Sequence, residues 1–143
     1  MTASERVPER VVSASAVVFD SWAWWEVFHA TPAGKALDRK YLGDKRVVVT
    51  PTLAIAELSA KLHRVGRRNE GERIAAWIGA YGRTQVLDEE AATHAGRLLE
   101  HLREGHRDAS LADAIMLATA RTLGLPLISA DAAFAGTPDV RRE

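Results

Sequence analysis

Ala16-Val17-Val18-Phe19, followed at once by Asp20, is a short β-rich run in which apolar and polar residues do not alternate. A strand with one wet face alternates, whereas an uninterrupted apolar strand is covered on both faces, as in a parallel sheet between helices. Val47-Val48-Val49 repeats the pattern, Gln85-Val86-Leu87 reads as a weaker third strand, and Pro126-Leu127-Ile128-Ser129 is a last one that runs into Asp131. Helical patterns fill the intervals. Ser21 to Ala30 is dense in aromatics, Thr31-Pro32-Ala33-Gly34 reads as a break, and a further helix starts at Lys35. Thr50-Pro51 has the form of an N-cap followed by proline at the first helical position, which predicts a helix from Pro51 to Val65 stopped by Gly66. Helices over 70–81 and 89–104 follow, the second capped by Asp88, and Ser110 caps another that ends at Leu123-Gly124. Strands alternating with helices predict an α/β fold, a parallel sheet wrapped on both faces.

The chain has 143 residues, which fits one domain over 1–143 and a core that needs no cross-links, with residues 1–14 expected as a loose lead-in. Cysteine is absent, which excludes a disulfide framework, a thiolate zinc site and a cysteine nucleophile. Hydrophobic residues make up 47% and charged residues 27%, the balance of a folded globule and not of a disordered tail. No apolar run approaches a membrane span and Met1 to Arg10 lacks the apolar core of a signal peptide, so a soluble cytoplasmic protein is expected. The 19 basic and 19 acidic side chains cancel, which excludes a grip on nucleic acid through overall charge and leaves a local basic patch as the only route to it.

Four carboxylates break the local apolar pattern. Asp20 ends the first strand, Glu57 is the only charge between Arg46 and Lys61, Asp113 is the only charge from Ala109 to Ala120, and Asp131 follows Leu127-Ile128-Ser129-Ala130. Each has an ordinary reading when taken singly: a helix cap for Asp20, a surface turn for Asp131, an exposed helical position for Glu57, and a capping box with Ser110 for Asp113. Together they point elsewhere. Ligands of parallel α/β sheets bind at the carboxyl ends of the strands, where Asp20 and Asp131 both stand. Two like charges at about 4 Å repel by roughly 1–4 kcal/mol, so four in one cleft must share protons or hold a cation. Oxygen-only donors select a hard ion, Mg²⁺ or Mn²⁺, over zinc, and the chemistry that uses such an arrangement is phosphodiester hydrolysis.

Val17-Val18-Phe19-Asp20-Ser21-Trp22, Pro51-Thr52-Leu53-Ala54-Ile55-Ala56-Glu57-Leu58, Ser110-Leu111-Ala112-Asp113-Ala114-Ile115-Met116-Leu117 and Leu127-Ile128-Ser129-Ala130-Asp131 resemble the signature blocks of PIN-domain ribonucleases, above all the VapC-like toxins of toxin–antitoxin pairs. The resemblance spans about residues 15 to 135 and implies a three-layer α/β/α domain that cuts RNA with a bound metal ion. By position, Asp20, Glu57 and Asp113 match the three metal-binding acids, Asp131 the fourth, and Ser129 the hydroxyl residue two places before it. The resemblance also implies a homodimer and a small antitoxin whose tail blocks the active-site groove. Two departures stand out: Ala132 replaces the usual charged residue after Asp131, and the chain ends soon after Asp139-Val140, so a final edge strand is short or missing.

Lys61, Arg64, Arg67, Arg68 and Arg73 outnumber Glu70 and Glu72 locally, so Arg64, Arg67 and Arg68 are candidates for RNA phosphate contact, against the alternative of a solvated helix end. Trp22, Trp25 and Phe28 read as core or interface packing with Trp24 on another side of the same helix, which calls for a partner over the second face, or for base stacking. His94, His101 and His106 lack the further ligands of a zinc site. Beside the Mg²⁺/Mn²⁺-dependent endoribonuclease of toxin type stand a catalytically silent PIN-like binding module and a non-toxin RNA-processing nuclease. A phospho-accepting receiver domain fits poorly, because Val17, Val18 and Phe19 stand where its acidic pair belongs and no Lys follows Lys61.

Overall fold

The computed structural model describes residues 16–42 and 48–142. The lead-in expected over residues 1–14, and Val47 of the expected second strand, lie outside them. The strands are β1 (Val17–Phe19), β2 (Val48–Pro51), β3 (Gly82–Gln85), β4 (Leu127–Ile128) and β5 (Val140–Arg141). They form one sheet in the order β3-β2-β1-β4-β5, every neighbouring pair parallel. The helices are α1 (Ser21–Phe28), α2 (Pro32–Leu37) continuing into a π-helical turn (Asp38–Leu42), α3 (Thr52–Arg64), α4 (Arg68–Gly79), α5 (Glu89–Gly105) and α6 (Leu111–Leu123), with a 3₁₀ turn at Ala132–Phe134.

Because successive strand residues point to opposite faces, the apolar runs feed two cores. Val18, Val49 and Leu127 face Leu98 and Leu102 of α5 and Ala114 and Leu117 of α6. Val17, Phe19, Val48 and Ile128 face Trp24, Leu58, Leu62, Ile74 and Ile78 of α1, α3 and α4. The result is the expected α/β arrangement, a parallel sheet between two helical layers. The chain steps from β1 outward through β2 to β3 and then returns to lay β4 on the other side of β1. This reversal opens a crevice between the carboxyl ends of β1 and β4.

Two Thr-Pro pairs exchange the roles that local signals assign them. Thr31 caps α2 by accepting from Gly34 N–H at 3.0 Å, with Pro32 in the first turn, so the supposed break is a helix start. Thr50 caps nothing. It is wholly buried in β2, and its Oγ1 accepts the Trp24 indole N–H at 2.9 Å, so a residue 26 positions away claims the hydroxyl. Trp24 is the fully buried member of the aromatic helix, edge-on to Phe19 and Trp77 with ring centroids 5.0 and 5.3 Å away, while Trp22, Trp25 and Phe28 are half-buried.

The third strand occupies Gly82–Gln85 and not 85–87, leaving Val86 66% exposed. Gly82 permits this register, since a Cβ there would stand 2.1 Å from the Val48 carbonyl oxygen. Gly124 ends α6 at φ +69°, in the left-handed region. The final edge strand is present but only two residues long. Among the described residues no helix is long and apolar enough to cross a membrane.

Gly82→Ala must push β3 away from β2. It is expected to destabilise the protein by on the order of 2 kcal/mol and to lower its melting temperature by several degrees, whereas Gly79→Ala, where a Cβ meets nothing within 4 Å, is expected to be neutral or stabilising; thermal unfolding of both variants checks this.

Candidate active site

The crevice is built from strand ends. Asp20 leaves β1 and immediately caps α1, its Oδ1 accepting from Ala23 N–H at 3.0 Å, so the side chain is turned back over the sheet and is only 6% exposed. Ser129, wholly buried just past β4, donates its hydroxyl to Asp20 and accepts from Asp131 N–H at 3.1 Å. One hydroxyl therefore ties the two strand ends together. Asp131 Oδ1 accepts from Ala133 N–H at 2.9 Å and so caps the 3₁₀ turn. Glu57 enters from the second turn of α3, half-buried, with its carboxylate bonded to Ser21 at the head of α1. Asp113 enters from the first turn of α6.

The electrostatics link all four. Burial pushes the Asp20 carboxyl up to about 7, against the lowering hydrogen bonds from Ser129 and Ala23, and the charges of Asp131 and Glu57 raise it further. Glu57 is raised in turn, by desolvation first and then by the charges of Asp113 and Asp131, with the Ser21 bond opposing. Among the described residues none of the four carboxylates has an ion-pair partner. Four carboxylates, two of them raised by burial and by the charges of the others with no compensating cation, have the donor chemistry for a hard divalent ion. As they stand, no three acidic or imidazole groups among the described residues are close enough to hold one ion. The fold thus brings the four acids into one charge-coupled neighbourhood without closing them around a point.

The ordinary reading of Asp113 is also present. Ser110 Oγ accepts from Asp113 N–H at 3.1 Å and Asp113 Oδ2 accepts from Ser110 N–H at 2.9 Å, a complete capping box. One oxygen thus starts α6 while the carboxylate's charge acts on Glu57.

The basic candidates separate. Arg67 is engaged within the molecule: Nε donates to Glu70 Oε1 at 2.7 Å, Nη2 makes a second contact to Glu70 Oε2, and the guanidinium lies 4.9 Å from the Phe28 ring centroid. Its Nη1 reaches His29 Nε2 at 2.6 Å. A guanidinium only donates, so that nitrogen accepts and Nδ1 carries the proton given to Trp25 C=O at 2.8 Å. Arg64 and Arg68 are exposed, and Arg64 lines a cavity of about 390 Å³ with Glu57 in its wall.

Two neighbours, Ser21 and Arg142, carried no sequence signal, and Lys61, read only as part of the basic cluster, makes a contact that its spacing does not foretell. Ser21 reads as an ordinary first helical residue, yet it bonds Glu57. Lys61 stands 4.0 Å over the Trp25 ring. Arg142, next to the chain end, donates to the carbonyls of Asp131 at 3.0 Å and Ala130 at 3.4 Å. Partners on different elements of the chain leave no local pattern to read.

A family model described as PIN domain matches residues 17–140. No curated protein matches the chain significantly. Among solved structures, it is similar to a member of the VapBC family of toxin–antitoxin systems, VapBC-5, from Mycobacterium tuberculosis: 26% identity over 89% of this chain and 96% of that one, TM-score 0.61. VapC20 of the same organism, described as a sarcin–ricin loop cleaving toxin, gives 21% identity over 88% and 99%, TM-score 0.66. A toxin–antitoxin complex from Klebsiella pneumoniae gives 22% identity over 88% and 96%, TM-score 0.66.

The raised Asp20 carboxyl keeps its proton in the folded chain after the unfolded chain has lost it. Its contribution to stability is therefore complete below about pH 4 and lost as the pH rises through about 7. Thermal melts of chelator-treated protein are expected to show this decline, by a few kcal/mol in order of magnitude, and Asp20→Asn, which keeps a capping side chain, is expected to flatten it. At Asp113 the two roles come apart. Asp113→Asn retains an oxygen for Ser110 N–H and should leave the apo melting temperature unchanged or raised, while Asp113→Ala loses the box and about 1 kcal/mol; both are expected to weaken Mn²⁺ binding measured by calorimetry.

Proposed function

The chain belongs to the PIN domain family, and on that premise we propose that it is an endoribonuclease dependent on Mg²⁺ or Mn²⁺, acting as the toxin of a toxin–antitoxin pair. The observation that carries this reading is the burial of Asp20 and the half-burial of Glu57, each with the charges of two other carboxylates acting on it, at the crevice where the strand order reverses. Asp20, Glu57 and Asp113 are the proposed metal-binding acids, with Asp131 completing the set. When bound, such an ion offsets the negative charge of the phosphodiester and makes an attacking water more acidic.

The chain's own groups do the rest. Ser129 holds the Asp20 carboxylate and the Asp131 backbone in fixed relation, so that both acids face the same substrate phosphate. Asp131 has Oδ1 engaged with Ala133 N–H, which leaves Oδ2 to accept a proton from the attacking water and aim it in line with the leaving oxygen. Ser21 steadies Glu57. Arg64 is the proposed cation for the RNA backbone, with Arg68 beyond it, since a neutral protein that cuts RNA needs local positive charge beside its acids. Arg67 is the weaker candidate because Glu70 and His29 already hold it.

The similarity to toxin–antitoxin structures supports a cognate antitoxin as partner and a toxin's role in place of general RNA processing. A homodimer is proposed on the family resemblance, and the cytoplasm is the proposed place of action because RNA and antitoxin meet there.

Purified protein with Mn²⁺ is expected to cut RNA, and chelator or Asp20→Asn to abolish the cutting. Ser129→Ala, which removes only the hydroxyl that orients the acids, is expected to cost roughly 10–100-fold. Gel electrophoresis of the RNA products reads all three. Cleavage that survives the chelator would refute the assignment.

A further inference from the structure

The cavity between α1 and α3 shares Glu57, Ser21 and Arg64 with the site described above, and its tryptophans have no role there. Its walls include Ser21, Trp22, Trp25, Glu57, Lys61 and Arg64, and its volume is about 390 Å³, within the range of small-ligand sites. Glu57 and Ser21 belong to both the cavity and the acidic crevice, so whatever fills the cavity lies next to the reacting phosphate.

The lining is divided by chemistry. Trp25 is occupied, with the His29 ring 4.3 Å from it and the Lys61 ammonium 4.0 Å over its centroid. This contact holds the Lys61 charge at the cavity wall, where Arg64, one turn further along α3, adds a second. Trp22 differs. It packs against the α1–α4 core and is half-buried, and among the described residues its indole has no aromatic or cationic partner. A flat apolar surface beside two cations matches a ligand with a ring at one end and anionic groups at the other. A nucleotide has that form, and base–aromatic stacking is the usual way single-stranded nucleic acid is held without reading its sequence. A docked protein is the poorer match: a specific interface needs on the order of 1,000 Å² of contact, and a pocket with paired cations and one carboxylate does not present that.

We propose that this cavity is a base subsite: it takes the nucleotide adjacent to the scissile bond of single-stranded RNA, with the base stacked on Trp22 and its phosphate held by Lys61 and Arg64. The inference rests on the ribonuclease reading for its substrate class. It adds a determinant of where the chain cuts, since a nucleotide locked in a duplex cannot turn its base into the pocket.

The test separates binding from cutting by using Asp20→Asn protein, which leaves RNA intact. Fluorescence anisotropy compares two labelled probes in the presence of Mn²⁺, a short oligouridylate and a ribose-phosphate chain of equal length without bases. Trp22→Leu is expected to weaken oligouridylate binding about tenfold and to leave the abasic chain unaffected, while Trp22→Phe retains most of the affinity. Lys61→Ala and Arg64→Ala are expected to weaken both probes and to lower the salt dependence by about one phosphate each. If Trp22→Leu binds both probes like its parent, or loses both equally while its melting temperature is preserved, the subsite is overturned and a peptide becomes the better occupant. Should Trp22→Leu fail to fold, the parent decides: tighter binding of the base-bearing probe than of the abasic one is expected, and equal binding of the two would overturn the proposal. None of these readings depends on cleavage, so a chain that binds as described and cuts nothing would refute the nuclease reading alone.

Discussion

A carboxylate stripped of most of its water cannot stay ionised beside other carboxylates unless something positive joins them. Asp20 is in that position, nearly buried at the end of β1 with the charges of Asp131 and Glu57 acting on it. Two hydrogen bonds, from Ala23 N–H and from Ser129, favour its charged form and do not suffice to restore an ordinary pKa. The remaining deficit is the feature around which the rest of the site is organised. It fits the placing of Asp20, Asp131 and Asp113 at strand ends and a first helical turn, where free backbone N–H groups offset part of the cost, and the burial of Ser129 between two of them.

The sheet makes this possible by its order. Laying β4 against β1 after β3 is complete brings residue 131 beside residue 20, and covering both faces with helices keeps the strand ends out of water. The aromatic helix α1 is fixed to this frame by Trp24, fully buried and bonded to Thr50 of β2. At about 25 cal/mol per Å², an indole of that size stabilises by roughly 4–6 kcal/mol as an upper figure. With Trp24 anchored, Ser21 and Trp22 are held on the rim, one against Glu57 and the other on the cavity wall. Core packing and the placement of functional groups are thus two faces of one short helix.

Much of this was legible in the residues alone, and the reasons differ by element. Uninterrupted Val17-Val18-Phe19 announces a two-faced burial that the structure bears out, because the strand period sends its side chains into two cores. The four acids were visible as charges inside apolar runs. Their meeting depends on topology, which no local window contains, and their exact closeness depends on side-chain placement, which leaves them coupled but not gathered around an ion. The Thr-Pro pairs misled because an identical dipeptide serves as a helix start at Thr31 and as strand at Thr50, the difference being an indole supplied from another element. Val86 and Leu87 carry strand propensity, yet it is glycine at 82 that lets the edge strand approach β2. Arg67 looked like a free cation beside Arg68 until Glu70, His29 and Phe28 claimed it.

The claim that Asp20, Glu57, Asp113 and Asp131 assemble around a hard cation is tested most directly by anomalous diffraction from crystals grown with Mn²⁺. The account predicts one strong anomalous peak in the crevice between the ends of β1 and β4, with carboxylate oxygens of at least two of those residues at about 2.0–2.3 Å. No peak there at saturating Mn²⁺, or a peak only at surface histidines such as His101 beside Glu104, would contradict it.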